Sequence, residues 1–271
     1  TAYEDRPRDW SSDVCSSDQP GWILAQPGNK LAANKPDVVL FHLDHVALTQ
    51  LISTTNRQHF FMAIKTEPTH TTAMTKTDIT AVILAGGKAS RMEGLDKGLI
   101  KLANKALIEY VINTIQQHVN QTLISANRSI DEYQQFGFPV ISDDKNEFNG
   151  PLSGICEALK SCNSKYLLVL PCDCPFIEAD IIEKLYRSAE ENNSDVVLIH
   201  DGQYLQPLFS LISKNALPSL EECIAAKNFK VKQWMTDQNH SIVKDRRTMM
   251  FFNINNKNDL ESAEKLVLSR K

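Results

Sequence analysis

From Thr77 onward the chain alternates short β-branched runs with longer amphipathic stretches. Ile79–Leu84 is apolar throughout and leads into Gly86-Gly87, which predicts a buried strand entering a turn. Lys105–His118 carries Ala106, Ile108, Val111, Ile112 and Ile115 at near-helical spacing. Thr122–Ala126 and Val140-Ile141 read as the second and third strands, the latter closed by Ser142-Asp143-Asp144. Ser153–Lys160 reads as a helix, and Tyr166–Leu170 as a fourth, strongly apolar strand stopped by Pro171. A helix over Ile177–Glu191, a strand over Asp195–His200, an antiparallel strand over Leu208–Ile212 and a helix over Leu217–Ala226 follow. Phe251–Ile254 predicts the last strand and Asn258–Ser269 a closing helix, with Asn255 or Asn256 placed to cap it.

Strands alternating with helices of this length predict an α/β fold, its mainly parallel sheet covered on both faces. Right-handed crossovers then put the loops that follow the strands along one edge, where such sheets bind ligands. The polar residues singled out below fall in those loops, after the first, second, third, fourth and last predicted strands.

The first part of the chain reads differently. Residues 19–74 offer a possible strand at Val38–Phe41, a helix ending near Thr54 and an apolar run at Phe60–Ile64. A Pro- and Thr-rich linker at Glu67–Thr72 comes next. No motif falls here, and the segment is read as an extension of unknown role. Thr1–Asp18 is a polar string with no apolar period, resembles translated sequencing-adaptor DNA, and is read as an artefact or a disordered tail. The expected organisation is therefore 1–18, 19–74 and a regular α/β domain over 75–271.

Composition narrows the class. Of 271 residues 42% are hydrophobic, enough for a core and too many for wholesale disorder. A formal net charge of −4 argues against a nucleic-acid binder, while leaving room for a local basic cleft. No apolar run approaches the roughly 20 residues needed to cross a bilayer, and no secretory signal is visible. The expectation is a cytoplasmic protein with neither nucleic acid nor membrane as partner. The six cysteines, Cys15, Cys156, Cys162, Cys172, Cys174 and Cys223, lack zinc-site spacing. Cys172 and Cys174 are read as reduced, partly buried packing residues.

The richest segment is Leu84-Ala85-Gly86-Gly87-Lys88-Ala89-Ser90-Arg91-Met92-Glu93-Gly94-Leu95-Asp96-Lys97-Gly98. A glycine pair after a strand lets backbone approach a nucleotide, and its N–H groups can cradle phosphate oxygens. Lys88, Arg91 and Lys97 add cations, Arg91 being able to grip phosphate in bidentate fashion. The string is neither a P-loop nor a G-x-G-x-x-G dinucleotide fingerprint. Downstream, Asn127 follows the second strand, Asp143 the third and Gly150-Pro151-Leu152-Ser153-Gly154 opens a helix. Asp173 emerges between Pro171 and Pro175, rigidly aimed and costly to bury unpaired.

This set, in this order, resembles the molybdenum cofactor guanylyltransferases. The resemblance runs from about Ile79 to Leu266 and implies a Rossmann-like three-layer sandwich of the nucleotide-diphospho-sugar transferase type. It implies transfer of GMP from GTP to molybdopterin with release of pyrophosphate, dependent on Mg²⁺, by a nucleotidyltransferase domain at 75–271. Leu84, Ala85, Gly86, Gly87, Lys97, Asn127, Asp143 and Asp173 would bind the nucleotide, with Asp173 holding the metal. Lys97, Arg91 and Asp173 would carry catalysis, by charge stabilisation and positioning. Asn253, Asn255, Gln206 and Pro207 would line the acceptor site. Glu93 stands where the family more usually has glycine and is expected on the solvent side. Partners implied beyond GTP and molybdopterin are other cofactor-biosynthesis proteins and apo-molybdoenzymes. The rival readings are a cytidylyl- or sugar-phosphate nucleotidylyltransferase, and a non-catalytic carrier of GTP or cofactor. The Gly86-Gly87 pair, together with Asn127 and Asp143, favours guanine, since related cytosine users resemble L-A-A-G.

Overall fold

A computed structural model of the protein describes residues 74–86, 96–143 and 150–269. The strands along them are β1 (Ile79–Leu84), β2 (Lys101–Leu102), β3 (Lys105–Ala106), β4 (Gln121–Ser125) and β5 (Val140–Ile141), then β6 (Tyr166–Pro171), β7 (Val196–His200), β8 (Leu205–Ser213) and β9 (His240–Lys244). The helices are α1 (Leu107–Ile115), α2 (Ile130–Gln134), α3 (Pro151–Ser161), α4 (Asp180–Asn192), α5 (Leu217–Ala225), α6 (Val231–Asp237) and α7 (Lys257–Ser269).

β1 and β6 are buried at every position and lie side by side, from Ile79 opposite Tyr166 to Leu84 opposite Pro171. A central parallel strand with helices on both faces must be apolar throughout, which is why these two runs show no alternation. Seven strands form the sheet in the order β5-β4-β1-β6-β8-β7-β9. β8 is antiparallel to both of its neighbours, as its sequence position suggested, and the other pairings are parallel.

Alternation along the strands sorts the core into two layers. Ile79, Ala81 and Ile83 of β1, with Leu168 and Leu170 of β6, pack with the apolar faces of α1 and α4. Val82, Leu84, Leu167 and Val169 face the other way, toward Leu152, Ile155 and Leu159 of α3, Leu220 of α5 and Trp234 of α6. Each fully buried aliphatic side chain contributes about 1.5–3 kcal/mol by leaving water. The result is the expected three-layer sandwich. A third cluster joins α7, through Ala263, to Leu102 of the β2–β3 hairpin, Leu107, Phe176 and Ile254.

Local chemistry sets the helix ends. The Glu109 carboxylate accepts from the Ala106 backbone N–H at 2.6 Å and opens α1 two residues later than the periodicity suggested. Gly150, at φ 69°, turns the chain into Pro151, which starts α3 with its fixed φ. Asn193, in the left-handed region, ends α4.

One sequence expectation needs correction. The segment predicted as the last strand, Phe251–Ile254, instead ends a 3₁₀ turn over Thr248–Phe251 and continues outside the sheet. Its aromatics are apolar because Phe251 packs edge-on against Phe209 at 5.0 Å and Phe252 against Phe176 at 6.3 Å. The final strand is β9, paired to β7. As an edge strand it is only half covered, with Ile242 and Lys244 exposed, so it lacks the apolar run that marks a central strand. The short α2 and α6 were also unforeseen. The expectations for residues 1–73 lie outside the described residues.

Candidate active site

The carboxyl ends of β4, β1 and β6 lie together, and backbone bonds carry their ladder beyond the strands. Ala85 N–H donates to Ser125 O at 2.8 Å, and Cys172 N–H to Leu84 O at 3.2 Å. Leu84 and Ala85 are therefore held inside the sheet, and Gly86 is the first exposed residue of the turn. A Cβ at Gly86 would meet nothing within 4 Å among the described residues. Packing does not demand glycine there; the open space in front of it suits the close approach of a ligand. Gly87, Lys88, Arg91 and Glu93, with Asp144 after β5, lie outside the described residues.

Asp173 leaves β6 through Pro171 and is 7% exposed. Its Oδ2 accepts from Lys97 Nζ at 3.2 Å, and the same ammonium donates to Asn255 Oδ1 at 2.6 Å. Three residues separated by up to 158 positions thus meet at one point. Lys97 sits at the start of a 3₁₀ turn (Lys97–Leu99) leading to the β2–β3 hairpin, and Asn255 sits just before α7. The Asp259 carboxylate accepts from the backbone N–H groups of Asn255 and Asn256, at 2.8 and 3.2 Å, and Asn256 Oδ1 caps Asp259 N–H at 3.0 Å. That reciprocal cap fixes the segment in the absence of strand pairing. The Ile254 N–H bond to Asp173 O, 3.0 Å, ties it to the end of β6.

Asn253 and Asn255, both assigned to the acceptor site, lie outside any strand and differ in their contacts. Asn255 reaches Lys97, whereas the Asn253 Oδ1 is buried and has no hydrogen-bond partner among the described residues. A buried acceptor left unpaired costs free energy that a bound donor or cation would recover.

The oxygens here suit a hard cation. Among the described residues, Asp173 Oδ1 receives only a long contact, 3.8 Å, from the Cys174 thiol. Among the described residues no cluster of three or more His, Cys, Asp or Glu is placed to hold a metal alone. A site with one carboxylate and amide oxygens fits Mg²⁺, which keeps waters and takes the rest of its shell from substrate phosphates. The flanking thiols are not competing ligands. Cys172 and Cys174 are free and buried, and burial raises both thiols well above their usual range.

Asn127 and Asp143 meet after β4 and β5. Asn127 Nδ2 donates to Asp143 Oδ1 at short range, and Asp143 N–H donates to Asn127 Oδ1 at 3.1 Å. The amide thereby orients the carboxylate. A Cβ on Gly154 of α3 would collide with Ser125 Oγ and stand 3.4 Å from Leu84 Cδ2, so the position has room only for glycine. This close seat sets the positive end of α3 beside β1 and β4.

Gln206 and Pro207 lie at the start of β8, whose antiparallel direction brings its first residues to the same sheet edge. Gln206 Nε2 donates to Asp201 Oδ2 at 2.6 Å, and Asp201 Oδ1 accepts from the Gln203 and Tyr204 N–H groups at 2.7 Å. Sequence reasoning assigned no role to Asp201, Asp259 or Asp96, the last of which accepts from Tyr133 Oη at 2.9 Å. Burial raises the Asp96 carboxyl above its usual range, against the hydrogen bond from Tyr133. Its place beside Lys97 in the glycine-rich segment was the available signal.

A mainly parallel sheet whose carboxyl edge joins a glycine turn, a lysine and a buried aspartate defines a nucleotidyltransferase. Comparison with known proteins agrees. Residues 81–242 match the MobA-like NTP transferase domain, and the chain belongs to that family. The molybdenum cofactor guanylyltransferase of Pasteurella multocida is 40% identical over 184 residues, covering 67% of this chain and 97% of the relative. The guanylyltransferase of the same name from Polynucleobacter asymbioticus is 37% identical over 191 residues, covering 69% of this chain and 96% of its own. In three dimensions, the molybdopterin-guanine dinucleotide biosynthesis protein A of Archaeoglobus fulgidus superimposes with a TM-score of 0.60. It is 25% identical and covers 70% of this chain and 99% of its own. Among the described residues no helix is long and apolar enough to cross a membrane.

Proposed function

We propose that the chain transfers GMP from GTP to the terminal phosphate of molybdopterin, giving the guanine dinucleotide form of the cofactor and pyrophosphate. The observation that carries this reading is the meeting of Lys97, Asp173 and Asn255 beside the open glycine turn, in a chain 40% identical to guanylyltransferases of that name over nearly their whole length.

A phosphate oxygen of the acceptor attacks the α-phosphorus of GTP, and the bond from that phosphorus to the bridging oxygen of pyrophosphate breaks. No protein nucleophile is required, so the residues act by holding the two phosphates in line and by meeting charge as it moves. Lys97 neutralises charge on the leaving pyrophosphate, and Arg91 is assigned the same task from the sequence. Mg²⁺ held by Asp173 would supply Lewis-acid polarisation of the α-phosphate. Asp143, oriented by Asn127, accepts from the N1–H and N2–H donors of guanine. Asn253, Asn255, Gln206 and Pro207 line the acceptor side. This reading takes the work to be cytoplasmic, without nucleic acid or membrane. The product would pass to cofactor-biosynthesis proteins and apo-molybdoenzymes.

Pyrophosphate release tests it, measured with Mg²⁺, molybdopterin and GTP, CTP or ATP in parallel. Release with GTP alone is expected. Release with CTP instead would reassign the base reader, and none with any nucleotide would leave a carrier.

A further inference from the structure

Tyr133 has no part in the chemistry above, yet it is the largest of the side chains sealed from solvent among the described residues. It grips both residues that flank Lys97. On one side its Oη donates to Asp96 Oδ1 at 2.9 Å. On the other its ring lies under Gly98, where a Cβ would stand 2.6 Å from Oη and 3.2 Å from Cε1. The turn between them is closed by Leu99 N–H to Asp96 O at 3.0 Å and Ile100 N–H to Lys97 O at 3.2 Å. Lys97 therefore leaves a short turn whose two shoulders are seated on one rigid aromatic ring, and its ammonium reaches Asp173 and Asn255 from there. The glycine of Asp96-Lys97-Gly98 follows from this contact, since any side chain at 98 would lift the turn off the ring.

We propose that Tyr133 is a positioning residue for Lys97, acting through its hydroxyl on Asp96 to set where the ammonium meets the triphosphate. This rests on the role given to Lys97 in the proposed function. Misplacing a catalytic group by a fraction of an ångström lowers the rate more than it weakens binding. A Tyr133 that merely filled the core, as its contact with Phe136 at 6.4 Å also allows, would do its work through the ring alone.

The test uses the full chain as wild type, Tyr133→Phe, Asp96→Ala, Asp96→Asn and the Tyr133→Phe/Asp96→Ala double variant. Pyrophosphate release is one readout. The other is the rate at which Lys97 is acylated by acetyl N-hydroxysuccinimide, followed by peptide mass spectrometry, which needs no turnover. For Tyr133→Phe the expected result is a kcat about tenfold lower, a KM for GTP changed less than about threefold, and faster acylation of Lys97. The double variant should be no slower than Asp96→Ala, because both remove one interaction, and Asp96→Asn, which keeps an acceptor, should recover part of the loss. Additive losses, or unchanged kcat with unchanged acylation in Tyr133→Phe, overturn the proposal. An inactive wild type would overturn the assigned reaction instead, and the acylation rates would still decide whether Tyr133 places Lys97.

Discussion

Asp173→Asn isolates the charge at the centre of the site. The amide has nearly the volume of the carboxylate, so no cavity opens beneath the Cys172 and Ile254 backbone. In the native chain Asp173 Oδ2 lies 3.2 Å from Lys97 Nζ, with the side chain only 9% exposed. Two unit charges at that separation attract by about 5 kcal/mol at an effective dielectric near 20. The functional loss will be smaller, because Asn255 Oδ1 still holds the ammonium at 2.6 Å. Removing one preorganised electrostatic partner of a transition state costs about 2.7–4 kcal/mol, or roughly 10²–10³ in kcat. The expected result is a fall in kcat of that size, with the Mg²⁺ concentration for half-maximal rate displaced upward. The melting temperature should move by no more than about 3 °C, since the buried carboxylate also loses its desolvation penalty. The assay is pyrophosphate release over a Mg²⁺ titration, beside a thermal melt. A kcat within about threefold of wild type, with unshifted Mg²⁺ dependence, would refute Asp173 as the metal-holding group.

Other variants probe other parts of the molecule. Asp143→Asn removes the double acceptor assigned above to the guanine base, and kcat/KM for GTP should fall about 10–100-fold while ATP and CTP change little; equal losses for all three would remove Asp143 as a guanine reader. Asp245 is 5% exposed and accepts from Arg247 Nε at 2.9 Å and Lys184 Nζ at 2.9 Å, so its carboxyl sits well below the usual carboxylate range, held there first by Arg247. A lowered folded-state pKa stabilises fully above the unfolded value of about 4 and is lost as pH falls through the folded one. Asp245→Ala should therefore lower the melting temperature by about 4–10 °C at pH 7, an effect of about 1.5–3 kcal/mol. That gap should narrow below pH ~4; a gap constant with pH would refute the linkage. A chain starting at Met74 should keep kcat within about twofold, because the described sheet, its three clusters and the family match all lie within it; loss of activity from a folded fragment would give the preceding segment a role.

Much of this protein was legible in its sequence because its central strands are covered on both faces. Burial on two sides forces β1 and β6 to be apolar at every position, and the residues that follow them, Leu84–Gly86 and Cys172-Asp173, then fall on one edge by topology alone. Asn127 and Asp143 could be located by the same rule after β4 and β5, but their mutual hydrogen bonds required the strand register. Edge strand β9 was hidden because half of it faces water, and Phe251 and Phe252 imitated a strand because plugs between layers are equally apolar. Only the tertiary structure brought Asn255 to Lys97, seated Lys97 between Asp173 and the Tyr133 ring, and assigned Gly98 to steric need rather than to phosphate. Periodicity reports which residues are buried within one element; it carries no record of which distant side chain fills the space beside them, and charge placement at this site depends on that.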